Sequence, residues 1–218
     1  MKDKPSEWIA ISDLMAGVMA VVMLLLVVSV LQKSAEEAKH KQEMEQAKAA
    51  GGSSTQAKLN SIMGELQGSL RGAINSGMVS IDGPARKITL RDGVFNSGSA
   101  CVVGQAKFAF TSIQQRLLSF LNQFPDGRIY VEGHTDNAPV AMPVTDYKKN
   151  CTVYDDNYTL SAARAREARK LLTGQMSETD SKRIVVAGFG ESQPLLGIPP
   201  GDARQRRIEV RLVLPEKE

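Results

Sequence analysis

The most unusual chemical group in this sequence is a carboxylate within an apolar segment. Asp13 lies in "WIAISDLMAGVMAVVMLLLVVSVL", which runs from Trp8 to Leu31 and is otherwise rich in Met, Val, Leu, Ala and Gly. Three interpretations are open from these residues alone. Asp13 caps a helix that begins at Leu14, it belongs to a cleavable signal segment, or it carries an ion inside a membrane.

Segment length and flanking charge bear on these three interpretations. Ile9 to Leu31 is 23 residues, about 34 Å as an α-helix, which spans a hydrocarbon core of about 30 Å with some tilt. A helix that begins at Leu14 would be about 27 Å long, barely enough to span. Lys33 gives a poor signal-cleavage site. An intramembrane carboxylate costs up to about 3.5 kcal/mol and usually marks an ion pathway. Lysines on both sides leave the orientation open.

Other reactive groups are few. The two cysteines, Cys101 and Cys151, fit a disulfide or two separate thiols equally well. The two histidines, His40 and His134, are far apart in the sequence, and no nucleophile–base pattern or phosphate-binding glycine loop is present. We therefore expect no enzyme activity, no metal and no cofactor. The net charge of +3 is too balanced to indicate a nucleic-acid partner.

Between the apolar segment and residue 78, the sequence predicts helices. Ser34 to Ala50 is rich in Ala, Glu, Lys and Gln, and "GGSS" interrupts the helical pattern after it. A second stretch has apolar residues at helical spacing, with glycines four apart on a neighbouring face. This stretch predicts either a weak linker helix, which we favour, or a close helix pair in a dimer. The apolar residues are Leu59, Ile62, Met63, Leu66, Leu70 and Ile74, and the glycines are Gly64, Gly68 and Gly72.

From Met78 onward, strand-like alternation and amphipathic helices follow one another. The predicted strands are "RKITLRDGVF", "RIYVEGHTD", "RIVVAGFGE" and "RIEVRLVL", and the predicted helices are 106–124 and 160–173. The order β-α-β-α-β-β implies a mixed sheet with helices on one face. We therefore divide the chain into a short N-terminus (1–8), a single transmembrane helix (9–31), a helical linker (32–77) and an α+β domain (78–218).

Five short motifs occur in a recognisable order within this domain. They are "VFNSGSA", "VEGHTDNAPV", "NYTLSAARAREARKLL", "AGFGESQPL" and "DARQRRIEVRLV". Together they resemble the OmpA-like peptidoglycan-binding domain over about Lys87 to Leu214. Two departures are visible. The family's Asn-Arg-Arg is Gln205-Arg206-Arg207 here, and the loop from Asn137 to Thr159 is longer than usual.

The resemblance implies a site for diaminopimelate, which carries an ammonium and a carboxylate. Asp136 matches the family's ammonium-binding carboxylate, and Arg164 matches the arginine that binds the ligand's carboxylate through its fork of donors. Thr135 and Asn137 would line the same loop, and Arg207 would lie near it. A Cys101–Cys151 disulfide would fasten the long loop to the sheet. A lone His134 in this loop is structural rather than a metal ligand.

A wall-binding domain belongs in the periplasm, which places the N-terminus in the cytoplasm and the single span in the bacterial inner membrane. "W-x-x-x-S-D-L-M-x-G-x-M" in turn resembles the membrane helix of MotB-like stator subunits. That resemblance implies that Asp13 carries a proton, or in some members a sodium ion, with help from the hydroxyl of Ser12. It also implies two copies of this chain inside a ring of a polytopic MotA-like protein.

The short N-terminus and "SDLMAGVM" are closer to ZorB, the MotB-like subunits of Zorya anti-phage systems, whose partner is ZorA. We therefore expect an ion-conducting stator subunit, anchored to peptidoglycan, that serves anti-phage defence. Two alternatives remain. One is a flagellar or gliding-type stator subunit, and the other is a passive tether between membrane and wall in which Asp13 is only a helix cap.

Overall fold

The structure is a computed structural model that describes residues 54–215 without a gap, together with seven helical residues before them: Met15, Met19, Met23, Leu24, Ser29, Lys33 and Lys39. Ser12 and Asp13 lie outside the described residues, so their predicted roles stay predictions. In the part of the chain that is described, no helix is both long and apolar enough to cross a membrane. The chain divides into two compact units, Met1–Gln56 and Ala57–Glu218.

Five strands form one sheet in the second unit. They are β1 (Val79–Asp82), β2 (Lys87–Arg91), β3 (Arg128–His134), β4 (Ile184–Gly188) and β5 (Arg207–Val213). The order across the sheet is β1-β2-β5-β3-β4, with β3 and β4 parallel and the other neighbours antiparallel. The predicted mixed sheet is therefore confirmed.

Within residues 54–215, seven helical segments accompany the sheet. They are α1 (54–69), α2 (Arg71–Asn75), α3 (Ala106–Gln123), α4 (Tyr147–Asn150), α5 (Asn157–Thr173), α6 (Glu178–Ser181) and a 3-10 turn (Ala203–Gln205). The two long helices predicted from the sequence are α3 and α5. α5 begins earlier than its apolar stripe, because the side chain of Asp156 accepts a hydrogen bond from the Thr159 amide and caps the helix.

Alternation along the strands separates two faces of the sheet. Ile88, Val131 and Val210 belong to the apolar face, which forms one core with residues of α1, α3 and α5. The opposite face carries charged side chains that form ion pairs across the strands, including Lys87 with Glu209 at 3.2 Å. The apolar face thus fixes the register of the strands, whose ends position the candidate site.

Two features differ from the sequence-based interpretation. β1 was not predicted, because its four residues are too few for a clear alternating pattern; it pairs with β2 across a turn in which Arg86 has φ 53°. The apolar stripe of α1 is buried in the core, with Leu59, Ile62 and Leu66 at most 2% exposed. This stretch, which we assigned to the linker, is therefore packed within the second unit, whose boundary lies at Ala57.

Candidate binding site

A cleft of about 630 Å³ opens beyond the end of β3 and the beginning of β5. Its walls come from the loop after β2, from the long connection between β3 and α5, and from α5 itself. Two carboxylates and two guanidinium groups line it: Asp92, Asp136, Arg164 and Arg206. A cleft with both signs of charge suits a ligand that carries an ammonium and a carboxylate.

Asp136 is held on the loop that leaves β3. Its Oδ1 accepts a hydrogen bond from the Ala138 amide at 3.3 Å, and the amide of Asn157 donates to its backbone carbonyl at 3.3 Å. The neighbouring Thr135 amide donates to the Gly190 carbonyl at 2.9 Å. These contacts tie the loop to itself, to α5 and to the loop after β4, so the carboxylate of Asp136 has a fixed position in the cleft.

Arg164 is a buried cation on α5, with 4% of its surface exposed. Its Nε donates to the Ser99 carbonyl at 2.9 Å, and its guanidinium lies 5.5 Å from the ring centroid of Phe95. Burial lowers the pKa of Arg164, although an arginine stays charged under ordinary conditions. Neither terminal nitrogen has a hydrogen bond to any residue in the described part of the chain. Both terminal nitrogens of this buried cation therefore remain for a ligand carboxylate.

Two glycines explain how α5 comes close enough to the sheet to bring Arg164 to the cleft. A Cβ on Gly133 would lie 2.1 Å from the carbonyl oxygen of Ser161, and one on Gly188 would lie 2.6 Å from Ala162. The hydroxyl of Ser161 also accepts a hydrogen bond from the Gly190 amide at 2.9 Å. The glycines and the serine of the sequence motifs thus serve the docking of α5 on β3 and β4.

Arg206 bridges the two carboxylates of the cleft. Its Nε and Nη2 donate to Oδ2 of Asp92 at 3.0 and 2.5 Å, while its Nη1 donates to Oδ2 of Asp136 at 2.5 Å. Hydrogen bonding to Asp92, and then to Asp136, raises the pKa of Arg206 against the opposing effect of burial. All three nitrogens of this guanidinium are therefore engaged within the protein.

The long loop before α5 forms one wall of the cleft and is fastened at several points. Cys101 and Cys151 form a disulfide, which confirms the predicted pairing. The hydroxyl of Tyr154 donates to the Gly98 carbonyl at 2.7 Å, and the Ala100 amide donates to the Asn150 carbonyl at 2.9 Å. Further lining residues on this loop are apolar: Pro139, Val140, Ala141 and Met142.

Three of the five predicted binding residues line the cleft, and two do not. Asp136, Arg164 and Thr135 line it, and the buried hydroxyl of Thr135 has no hydrogen-bond partner within residues 54–215. Asn137 does not line the cleft; its backbone amide donates to the Pro200 carbonyl at 3.1 Å.

Arg207, which was expected near the site, does not line the cleft. Its guanidinium is buried and donates to Glu209 at 2.7 Å and to the Gln193 carbonyl at 3.1 Å. Arg207 and Glu209 are two residues apart on β5 and so share one face of the sheet. Arg206 precedes the strand and lines the cleft instead.

Sequence reasoning also missed Asp92 and Asn157. Asp92 immediately follows β2, and Asn157 is the first residue of α5. The side-chain amide of Asn157 donates to the carbonyls of Asp136 and Ala138, at 3.3 and 2.9 Å. In the sequence, the only signal for Asp92 was the turn motif "RDG", and the only signal for Asn157 was its position next to Asp156, which caps α5.

His134 ends β3 and is buried beside two carboxylates. One ring nitrogen of His134 and one carboxylate oxygen from each of Glu132 and Glu209 lie within 4.8 Å of one another. Each carboxylate already has a cationic partner, Arg211 for Glu132 and Arg207 for Glu209. Desolvation, followed by the charge of Arg207, lowers the pKa of His134 to about 4. The imidazole is therefore neutral at pH 7, and its ring stacks on Phe189 at 5.4 Å between centroids.

Gln205 replaces the asparagine expected from the family pattern and is 1% exposed. Its Oε1 accepts from the Leu195 amide at 2.8 Å, and its Nε2 donates to the Ile198 carbonyl at 3.1 Å. Gln205 thus has a structural role in this chain: it fastens the loop before the 3-10 turn, next to Arg206.

Comparisons with known proteins agree with this geometry. The OmpA family model matches residues 94–207, more than half of the chain. The cell wall anchor of the T6SS from Pseudomonas aeruginosa is 28% identical, with a TM-score of 0.53, over 69% of this chain and 97% of that chain. A putative MotB-like protein from Desulfovibrio vulgaris is 20% identical, with a TM-score of 0.54, over 74% of this chain and 99% of that chain. Comparison with curated protein sequences gave no match.

Proposed function

Because the chain belongs to the OmpA family, we propose that its cleft binds the diaminopimelate of a peptidoglycan stem peptide and anchors the protein to the cell wall. The observation that carries this proposal is the placement of Asp136 and Arg164 in one cleft, 9% and 4% exposed. Asp136 takes the ligand's ammonium, and the free donors of Arg164 take its carboxylate. Partial burial strengthens both contacts because water competes less for these groups.

The remaining lining gives the cleft its selectivity. The hydroxyl of Thr135 supplies an unused polar group beside Asp136. Asn157, rather than the expected Asn137, lines the cleft. Its side chain acts by holding the Asp136 loop in position. A stem peptide that carries lysine in place of diaminopimelate lacks the second carboxylate. It would therefore leave Arg164 unpaired in the cleft, at a cost of about 1–3 kcal/mol.

The test is binding of a synthetic tripeptide, L-Ala–γ-D-Glu–meso-diaminopimelate, to the purified full chain in detergent by calorimetry. We expect the wild type to bind this tripeptide at least about fivefold more tightly than its lysine analogue, as the unpaired Arg164 predicts. Asp136→Asn and Arg164→Lys should each weaken binding, and whole sacculi should be retained less.

Two exposed residues supply matched controls. Asp126→Asn and Arg128→Lys repeat the same two substitutions outside the cleft and should leave binding unchanged. Thermal unfolding of each variant reports whether the fold is intact. Binding by folded Asp136→Asn that equals the wild type would refute the anchoring role.

We further propose that the whole chain is the wall-anchored subunit of an inner-membrane stator, with Asp13 as the ion-carrying group and Ser12 beside it. The transported ion is a proton or sodium, and two copies lie within a ring of a MotA-like partner. The similarity in fold to the Desulfovibrio MotB-like protein supports an architecture of this kind. The "SDLMAGVM" motif favours the Zorya branch, a ZorB-like subunit with a ZorA-like partner in anti-phage defence, over flagellar or gliding motors.

A passive tether is the second candidate, and a specific observation favours it. The T6SS protein, described as a cell wall anchor, matches this chain over 97% of its own length at 28% identity. The two functions share the cleft and differ at Asp13. A stator loses its function with Asp13→Asn while wall binding is unchanged, whereas a tether tolerates that substitution.

Purification of the tagged chain from its own host, with mass spectrometry of the proteins that co-elute, separates the candidates directly. A polytopic MotA-like protein in excess over this chain supports the stator, and a long cytoplasmic segment on that partner favours defence over motility. Recovery of wall fragments without such a partner supports the tether.

A further inference from the structure

Arg206 is hydrogen-bonded to Asp136, whose carboxylate would bind the ligand's ammonium. Its Nη1 lies 2.5 Å from Oδ2 of Asp136, in a cleft where that carboxylate is mostly buried. The ammonium of a diaminopimelate would approach the same group from the cleft. Two cations at one carboxylate repel each other, and they also compete for its oxygens.

Asp92 offers Arg206 an alternative partner. Two of the three guanidinium nitrogens already donate to Asp92, and only the third donates to Asp136. A small rotation of the guanidinium would leave the two bonds to Asp92 in place while freeing Asp136. The side chain of Arg206 is 32% exposed, so the surrounding residues leave it room to move.

From these contacts, we propose that Arg206 is an internal counter-ion that fills the ammonium position of the empty cleft, and that Asp92 retains it when a ligand's ammonium takes Asp136. This proposal rests on the function proposed above and adds two residues that determine affinity without contacting the ligand's carboxylate. Asp92 is a positioning residue in this scheme, because it acts only through Arg206.

The scheme predicts opposite effects for the two residues. Arg206→Gln removes the competing cation and should tighten binding of the diaminopimelate tripeptide by about two- to fivefold, the range expected for a partly exposed ion pair. Arg206→Lys should give a smaller gain, since an ammonium keeps the charge but loses the fork. Asp92→Asn leaves Arg206 with Asp136 alone and should weaken binding by a similar factor.

The deciding experiment is a double-mutant cycle on the full chain, measured by calorimetry with the same tripeptide. In an Arg206→Gln background, Asp92→Asn should have no effect, because Asp92 has lost the group through which it acts. Arg204→Gln and Asp126→Asn are the matched controls. Arg204 forms a separate ion pair with Asp202 at 2.8 Å, Asp126 is exposed, and neither residue lines the cleft, so both variants should leave affinity unchanged.

Each outcome is decisive. Tighter binding by Arg206→Gln, together with a silent Asp92→Asn in that background, supports the proposal. Unchanged or weaker binding by folded Arg206→Gln overturns it, as does a persistent effect of Asp92→Asn, which would mean that Asp92 touches the ligand. Absence of binding by the wild type overturns the proposed function and this inference with it, so the two failures are distinguishable.

Discussion

Removal of the Cys101–Cys151 disulfide should lower the stability of the second unit without reshaping its cleft. The bond joins residues 50 apart in sequence. In the chain-entropy model, closing a loop of that length stabilises the fold by about 4 kcal/mol at 25 °C, because the unfolded chain loses conformations. For a unit of this size, each kcal/mol is worth about 2–4 °C, so the melting temperature should fall by about 8–16 °C.

The folded cleft should change far less than the stability. The Tyr154 hydroxyl and the Asn150 carbonyl hold the loop against residues 98–100 independently of the sulfur atoms. The bridge between Val144 and Tyr154 closes the loop on itself, with N–O distances of 2.8 and 3.0 Å. We therefore expect the tripeptide affinity of the double variant Cys101→Ser/Cys151→Ser to lie within about threefold of the wild type, since the affected wall stays docked.

The assay is thermal unfolding by far-ultraviolet circular dichroism on the full chain in detergent, with calorimetric binding at 25 °C on the same samples. Wild-type protein treated with a reductant should melt like the double variant, and the double variant should not respond to the reductant. A melting temperature within about 2 °C of the wild type would refute the stability estimate. A normal stability loss combined with a tenfold loss of affinity would refute the claim that the other contacts hold the wall.

Three further outcomes follow from the structure. Gly133→Ala should destabilise the fold by about 1–3 kcal/mol and weaken ligand binding, because the new Cβ meets the backbone of Ser161 and displaces α5. Gly83→Ala should be tolerated, because its Cβ would have nothing within 4 Å. Urea unfolding measures the stability of both variants. The pKa of His134 is about 4 in the folded state, below its unfolded value of 6.5, so the unfolded chain takes up the proton first as the pH drops. The free energy of unfolding should therefore fall by up to about 3 kcal/mol between about pH 6.5 and pH 4. His134→Gln should remove that part of the pH dependence of the melting temperature. Gln205→Ala should cost about 1–2 kcal/mol, because it leaves partly buried backbone groups of Leu195 and Ile198 without these partners, and hydrogen exchange of the Leu195 amide should rise with it.

Much of the fold was predictable because it depends on local pattern. The alternating residues of β2, β3, β4 and β5 and the apolar stripes of α3 and α5 are visible in the sequence, and burial follows them. β1 was not predicted, because its alternating pattern is too short to be recognised. The apolar stripe of α1 was recognised in the sequence. Periodicity shows that a helix has an apolar face but not what packs against that face, which here is the core of the second unit.

The sequence by itself determined the order of the longer elements, the family pattern and three residues of the cleft, Thr135, Asp136 and Arg164, because each of these is carried by a contiguous motif. The tertiary structure alone decided which of two adjacent arginines enters the cleft, since a shift of one residue at the start of β5 moves a side chain to another face. It also brought Asp92 to Arg206 across 114 positions of the chain. Such a pairing leaves no local pattern, because it arises only when β2 and β5 lie side by side in the sheet.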